Sequence, residues 1–324
     1  MIVLAGDVGG TNARLALVEL DGATTHVQRE EHYPSHDYPG LGPIVTKFLA
    51  GGAKPGRACF GIAGPVVNGE THVSNLPWVV NAQALGAEVG IAKTALINDF
   101  LAVGYGIERL APGDLVTLQQ GRRVADGPIA LIGAGTGLGE GMLVWDDGKY
   151  RVHASEGGHA DFAPRDAGEI GLLLHLQRTF GHVSYERVLS GHGLVECYKF
   201  LAEARVGREH PDIKAEMAKE DPAAVITRHA MEGSDALSRK ALDLFCSVYG
   251  AEAGNMALRL MATGGVYLAG GIAPRIVHRL DAGGFMAAFR AKGRLSEFVE
   301  QVPVHVIMNA KVGLLGAAAV AARL

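Results

Sequence analysis

Cysteine is scarce in this chain. Among 324 residues there are 3 cysteines, Cys59, Cys197 and Cys246, and no pair of them has a CxxC spacing. Because the cysteines are odd in number and widely separated, neither a disulfide framework nor a zinc ribbon is expected. Reduced cysteines are typical of cytosolic proteins, so the sequence predicts a cytoplasmic location.

Long runs of one charge and long apolar segments are missing too. The formal net charge is -4, from 30 basic and 34 acidic residues, which argues against nucleic acid or a membrane as a partner. Only a four-residue apolar run precedes Gly6, unlike the start of a signal peptide. The apolar stretch 312–324 is too short to cross a bilayer and predicts a buried helix.

Two nucleotide-binding signatures are also absent. Neither GxGxxG nor GxxxxGK[ST] occurs, which excludes a dinucleotide fingerprint and a P-loop. Glycine, in contrast, is abundant: the 45 glycines are about twice the usual share. They cluster in short motifs and not in a low-complexity tract.

The first of these motifs interrupts the opening strand. Apolar residues at 2–5 and 13–20 flank GDVGGTN, a pattern that predicts a strand–turn–strand hairpin. Glycines let a phosphate chain approach the backbone, and successive N–H groups form an anion-binding concavity. Thr11 and Asn12 add donors, and Asp7 could hold Mg²⁺ directly or through water. A tight turn without a ligand is the alternative for a single hairpin.

The same coarse design returns at 128–145, PIALIGAGTGLGEGMLVW. Two similar halves, each with a glycine hairpin, predict a cleft between them. Further strands are expected at 57–63, 94–97, 265–269 and 302–308, and helices near 39–51, 81–89, 99–108 and within 166–262. Alternation of strands and helices predicts an α/β layered protein.

Three polar segments stand out beside the hairpins. Asn98-Asp99 follows a predicted strand and starts a predicted helix, and the alternative for Asp99 is a simple helix cap. In Glu156-Gly157-Gly158-His159 two glycines separate polar side chains, with an ordinary loop as the alternative. For Glu186, in GHVSYERVLSG, the alternative is an i,i+4 ion pair.

Six segments together resemble the bacterial glucokinase family, over almost the whole chain. In order they are GDVGGTNARLAL, INDF, GAGTGLG, SEGGHADFAP, GHVSYERVLSG and AGGIAPR. The resemblance implies the two-domain α/β actin-like ATPase (ribonuclease H-like) fold with a deep interdomain cleft. It implies a smaller domain of residues 1–109 plus 301–324 and a larger domain of residues 110–300. The implied reaction is ATP-dependent phosphorylation of D-glucose at the C6 hydroxyl, feeding glycolysis, in a homodimer.

The resemblance also implies residue roles. Asp99 matches the catalytic base, and Asn75, Asn98, Glu156, His159 and Glu186 match sugar-binding positions. The ATP-binding positions are Gly6, Asp7, Val8, Gly9, Gly10, Thr11 and Asn12, then Gly133, Gly135, Thr136 and Gly137, with Gly270 and Gly271 beside the adenosine. ATP and Mg²⁺ are the implied cofactors, with Asp7 as the metal-binding residue. Two departures are His192, where family members often have proline, and Ala310-Lys311 before the GLLG segment.

Other functions stay open at this point. One is a kinase for another hexose, such as mannose or fructose. Another is a sugar-responsive regulator, although the phosphate motif begins at residue 6 and no DNA-binding module is expected before it. A third is an ATPase that works as a conformational machine, a class that lacks the Asn98-Asp99 and Glu156–His159 constellation.

Overall fold

The computed structural model describes residues 1–22, 24–52 and 55–324. Contacts group the chain into two compact units. Unit 1 comprises Met1–Leu115, Tyr150–Ala154 and Asn309–Leu324, and unit 2 comprises Val116–Lys149 and Ser155–Met308.

Both units contain strands and helices. The strands are β1 Ile2–Val8, β2 Asn12–Asp21, β3 Thr24–Pro34, β4 Arg57–Ile62, β5 Glu70–His72, β6 Val79–Asn81, β7 Lys93–Asn98, β8 Leu115–Gln119, β9 Ile129–Ala134, β10 Leu138–Asp146, β11 Lys149–Ser155, β12 Gly265–Ala269 and β13 Val304–Ile307. The helices are α1 Leu41–Phe48, α2 Ala82–Val89, α3 Asp99–Gly106, α4 Ala167–Gln177, α5 Gly191–Glu203, α6 Pro211–Met217, α7 Pro222–Glu232, α8 Ala236–Leu260, α9 Val277–Asp281, α10 Gly284–Arg290, α11 Ser296–Glu300 and α12 Val312–Arg323. Within the described ranges, none of these helices combines the length and apolarity needed to cross a membrane.

Two mixed sheets share one topology. The first has the order β3-β2-β1-β4-β7, and the second has the order β11-β10-β9-β12-β13-β8. In the first, β1 pairs antiparallel with β2 and parallel with β4. In the second, β9 pairs antiparallel with β10 and parallel with β12. The coarse repeat of the sequence is therefore a repeat of topology, with the glycine segments in the turns of the β1–β2 and β9–β10 hairpins.

The residues of β1 alternate between two apolar layers, as the two-residue period of a strand requires. Val3 and Ala5 pack with α12, whose Leu314 and Ala317 belong to the same core cluster. Leu4 and Val8 point to the opposite face, into the core formed with α1 and α2. The apolar tail is thus the buried helix that the sequence predicts, and it covers one face of the unit 1 sheet.

Two long strands were not predicted. β3 is an edge strand in which exposed and partly buried residues alternate, with Tyr33 as its buried residue. β11 lies at the edge of the second sheet and is likewise mostly exposed. The sequences of both strands are polar and lack an apolar period. An edge strand does not need such a period, since pairing on one side can stabilise it.

Helix α12 packs against α3 at a glycine, which gives a stability prediction. A Cβ added to Gly316 would overlap the Ala102 carbonyl oxygen and lie 2.7 Å from the Gly106 amide nitrogen. We expect Gly316→Ala to destabilise the protein by about 1–3 kcal/mol, because rigid backbone must move apart. Gly113→Ala is the control, since a Cβ there would have open space around it. Thermal unfolding measures both, and an equal midpoint in the two variants would contradict this packing.

Candidate functional site

In unit 1, hydrogen bonds fix the turn between β1 and β2. The Gly9 N–H donates to the Asn12 carbonyl at 2.9 Å, and the Ser35 N–H donates to the Thr11 carbonyl at 2.9 Å. The Ser35 hydroxyl donates to the Gly9 carbonyl at 2.9 Å. The carbonyl groups of Gly9, Thr11 and Asn12 therefore accept the bonds that hold the turn, and the Gly9 N–H is engaged within it.

Asn75 lies against this turn. A Cβ added to Gly10 would lie 2.7 Å from the Ser74 carbonyl oxygen and 3.3 Å from the Asn75 Cβ. Asn75 itself has a φ of 62°, a left-handed conformation that asparagine tolerates better than most residues. The structure thus brings this predicted sugar-binding residue beside the first glycine turn, where a side chain at position 10 would separate the two.

Asn98 and Asp99 begin helix α3 with different local roles. The Asn98 Oδ1 accepts the N–H groups of Phe100 at 2.9 Å and Leu101 at 3.2 Å, so Asn98 is the N-cap. Its Nδ2 donates to Asp99 Oδ1 at 3.0 Å and to the Gly64 carbonyl at 3.1 Å. The cap is therefore Asn98 and not Asp99, which is the first helical residue. Asp99 Oδ1 accepts hydrogen bonds from the Asn98 amide and from the Phe100 N–H, and these two donors orient the carboxylate.

Asp7 and Asp99 are electrostatically coupled. Burial raises the pKa of Asp99, and the negative charge of Asp7 adds to the rise. Burial also raises the pKa of Asp7, whereas the positive charge of Arg14 lowers it. Since like charges disfavour joint ionisation, the pair forms an electrostatic environment that a divalent cation would stabilise.

Asp7 lies near a basic residue and near the start of a helix. It pairs with Arg14 across the β1–β2 hairpin, and its Oδ2 would be 3.8 Å from a Cβ on Gly313, in the first turn of α12. A helix N-terminus stabilises negative charge. Arg14 was not predicted as the partner of Asp7, although the register of the predicted hairpin places Asp7 and Arg14 opposite each other.

In unit 2, Glu186 is attached to the second glycine turn. The Gly135 N–H donates to the Gly137 carbonyl at 2.8 Å, and the Gly191 N–H donates to the Gly135 carbonyl at 2.9 Å. Glu186 Oε2 accepts the Leu138 N–H at 2.9 Å. The carboxylate therefore lies at the point where the turn enters β10.

His159 connects the predicted carboxylates of unit 2. Its Nε2 lies 3.8 Å from Glu156 Oε2, and its Nδ1 lies 4.0 Å from Glu186 Oε1. The Glu156 side chain is 92% exposed and the Glu186 side chain 29% exposed, so the cluster has an open and a sheltered end. Residues 27 to 30 positions apart in the sequence thus meet in one place.

The remaining predicted ATP-binding residues differ in exposure. Thr136 is exposed in the second turn, whereas Gly6, Val8 and Gly133 are buried within strands. The Ile272 N–H donates to the Ala134 carbonyl at 3.2 Å, so the segment after Gly270-Gly271 lies at the end of β9. Backbone at the turns is accessible to a ligand, and the buried residues are part of the sheets that position them.

The two departures have structural partners. His192 is exposed in the first turn of α5, where Ser190 caps the helix, a position at which proline is also tolerated. Lys311 Nζ donates to Glu30 Oε2 at 2.6 Å, and Arg14 donates to the Ala310 carbonyl at 3.1 Å. The segment before α12 is therefore tied to strands β2 and β3 of its own unit.

Comparison with known proteins supports one family. A family model described as Glucokinase matches residues 4–324. A glucokinase of Nostoc sp. is 47% identical over 340 aligned positions, covering 100% of this chain and 99% of that protein. A glucokinase of Caulobacter sp. is 40% identical, covering 97% of this chain and 93% of that protein.

Solved structures agree in fold. The crystal structure of a glucokinase from an Antarctic psychrotroph has a TM-score of 0.89 and 32% identity, covering 100% of this chain and 99% of that one. A ROK family glucokinase from Streptomyces griseus, solved with glucose and AMPPNP, has a TM-score of 0.65 at 20% identity, covering 100% of both chains; it supports the fold alone. The α/β fold with mixed sheets is therefore that of sugar kinases of the actin-like ATPase type. The resemblance carried by the six motifs is confirmed, and the chain belongs to the glucokinase family.

Proposed function

We propose that this member of the glucokinase family transfers the γ-phosphoryl group of ATP to the C6 hydroxyl of D-glucose, giving glucose 6-phosphate and ADP for glycolysis. The observation that carries the proposal is the placement of Asp99 at the start of α3, close enough to Asp7 for the two charges to interact. A base for the acceptor hydroxyl and a residue for the phosphate-bound cation belong side by side in such a transfer.

Asp99 is proposed as the general base. In a loose transition state the hydroxyl proton leaves late, so a carboxylate is basic enough to accept it. Burial raises the pKa of Asp99, which strengthens it as a proton acceptor. The hydrogen bond from the Asn98 amide orients the carboxylate.

Glu156, His159 and Glu186 are proposed as ligands of the sugar hydroxyls, with Asn75 and Asn98 in unit 1. An ionised carboxylate accepts strong hydrogen bonds from neighbouring hydroxyls. Because Glu186 Oε2 is held by the Leu138 N–H, its other oxygen is directed toward His159. A polyol would bind to such a set of fixed acceptors with a defined orientation.

The phosphates of ATP are proposed to bind the turn residues Gly9–Asn12 and Gly135–Gly137, with Gly270 and Gly271 beside the adenosine. Within the described ranges, no three His, Cys, Asp or Glu side chains form a metal-binding group. That fits Mg²⁺, which is usually held by one or two carboxylates together with water and substrate phosphates. Asp7 would hold the ion, and Mg²⁺, when bound, neutralises charge on the transferring phosphoryl group.

Three further parts of the proposal rest on the sequence and on the family resemblance. These are the deep cleft between two domains, the homodimer and the cytoplasmic location. Each stays a prediction.

The metal assignment gives a direct prediction. Chelation with EDTA should abolish glucose phosphorylation, and added Mg²⁺ should restore it. We expect Asp7→Asn to raise the Mg²⁺ concentration for half-maximal activity by roughly 10–100-fold, the usual size of such effects on metal affinity. Asp21→Asn, an exposed carboxylate at the end of β2, is the control. Activity that is independent of Mg²⁺, or an unchanged requirement in Asp7→Asn, would contradict the assignment.

A coupled assay of ADP formation across hexoses tests the proposed function itself. Glucose should stimulate ADP release far more than mannose or fructose does. A preference for another hexose would favour that kinase activity, and glucose binding without turnover would favour a regulator. ATP hydrolysis that ignores sugar would indicate a conformational ATPase.

A further inference from the structure

Strand β10 carries an acidic residue with no part in the reaction described above. Glu140 lies two positions after Leu138, and it is only 3% exposed. Among the described residues its buried Oε1 atom has no hydrogen-bond partner. An ionised carboxylate in such surroundings is costly, so the presence of this side chain requires an explanation.

Glu140 lies directly behind the loop that carries Glu156 and His159. A Cβ added to Gly157 would overlap Glu140 Oε2, and a Cβ added to Gly158 would overlap the Leu138 carbonyl oxygen. The loop backbone thus rests on β10 at two successive glycines. Leu138 also donates its N–H to Glu186, so this part of β10 supports all the proposed sugar ligands of unit 2.

The ionisable groups that act on Glu140 come from helix α8. They are Glu252 and Arg259, and Glu140 in turn acts on Tyr249 of the same helix. Glu252 is fully buried and forms an ion pair with Arg259 at 2.6 Å. Glu140 therefore faces a second buried carboxylate, and the cation beside them is already engaged by that carboxylate.

These surroundings place the titration of Glu140 near neutrality. Burial raises its pKa to about 7, with the charge of Glu252 adding to the rise and Arg259 opposing it. The folded-state value lies above that of the unfolded chain. The contribution of Glu140 to the free energy of unfolding is therefore fully present at acid pH and is lost as the pH rises through about 7.

We propose that Glu140 is a positioning residue of the sugar-recognition loop, whose neutral carboxyl supports Gly157 and whose ionisation displaces the loop and weakens glucose binding. The inference rests on the proposed function, because it takes Glu156 and His159 as sugar ligands. An ionised Glu140 is repelled by Glu252 and must gain hydration, and Oε2 is the atom that lies against Gly157. The effect falls on KM, since the proposed base is Asp99.

Steady-state kinetics with glucose at saturating MgATP provides the first test. Between about pH 6 and about pH 8.5, KM of the unaltered protein should rise roughly fivefold or more, with little change in kcat. Glu140→Gln keeps the shape of the side chain without the charge, and its KM should stay low and flat above pH 7. Both proteins retain His159, so any contribution of this side chain is common to both profiles. The same rise in Glu140→Gln, or a change confined to kcat, would overturn the proposal.

Hydrogen–deuterium exchange of peptides covering residues 155–160 provides a test without glucose. After correction for the intrinsic pH dependence, exchange in the unaltered protein should accelerate above pH 7, and Glu140→Gln should abolish the acceleration. A flat corrected rate in the unaltered protein would overturn the inference even if the variant failed to fold. If exchange changes as expected but no sugar is phosphorylated, the proposed function fails while the coupling of Glu140 to the loop stands.

Discussion

Asp99→Asn should lower kcat for glucose by roughly 10²–10⁴, while KM for glucose changes much less. The amide keeps the size of the side chain and can still bond with Asn98, but it does not accept the hydroxyl proton. Because positioning and charge neutralisation stay in place, residual activity should remain above the background reaction. Steady-state kinetics with a coupled ADP assay measures both parameters.

The control for this substitution is the same change at an exposed site. Asp21→Asn, in unit 1, should retain full activity. Near-normal kcat in Asp99→Asn would remove Asp99 from the role of base. A large rise in KM at constant kcat would instead assign it to sugar binding alone.

The second large effect concerns the sugar. We expect kcat/KM to fall in the order glucose, mannose, N-acetylglucosamine, with the last nearly inactive. A pocket built to bond with hydroxyls rejects analogues that leave its polar groups unpaired, by as much as ~10⁴–10⁵ when the loss is complete. The acetamide of N-acetylglucosamine replaces the C2 hydroxyl and adds bulk beside Glu156. Mannose keeps a C2 hydroxyl with inverted direction, so its penalty should be smaller.

Glu156→Gln tests which residue makes this distinction. An amide oxygen is a weaker acceptor than a carboxylate, and the two ends of the amide differ. The ratio of kcat/KM for glucose to kcat/KM for mannose should therefore decrease in this variant. Measuring kcat/KM for the three sugars with both proteins decides the matter. If N-acetylglucosamine equalled glucose, Glu156, His159 and Glu186 could not be the ligands of the C1–C2 end.

The central strands of both sheets could be predicted from the sequence. β1, β2, β9 and β12 are apolar and bounded by glycines, so local pattern and tertiary burial agree. β3 and β11 could not be predicted, because their polar residues have no apolar period and their strand conformation depends on pairing with a neighbour. Tertiary context, and not local sequence, sets the structure at those edges.

The candidate site shows a similar division. Asn98-Asp99 and the Glu156–His159 loop are visible as polar residues next to glycines or at strand ends. The meeting of Glu186 with His159 depends on chain segments about thirty residues apart, and only the resemblance anticipated it. Glu140 lies between glycines in GLGEGM, and its burial is set by Glu252 and the loop. No pattern in the sequence signals that.

Helix α12 has a consequence for the protein during its synthesis. Val3, Ala5 and Cys59 of the first sheet are covered by this helix, and Arg14 is bonded to a carbonyl 296 positions later in the chain. On the ribosome, these strands emerge long before the segment that covers them. Their apolar face stays uncovered while unit 2 is synthesised, and exposed apolar strands are prone to aggregate. Unit 1 is therefore completed only after unit 2 has emerged, and a chain that stalls before position 312 leaves the nascent sheet as a substrate for chaperones.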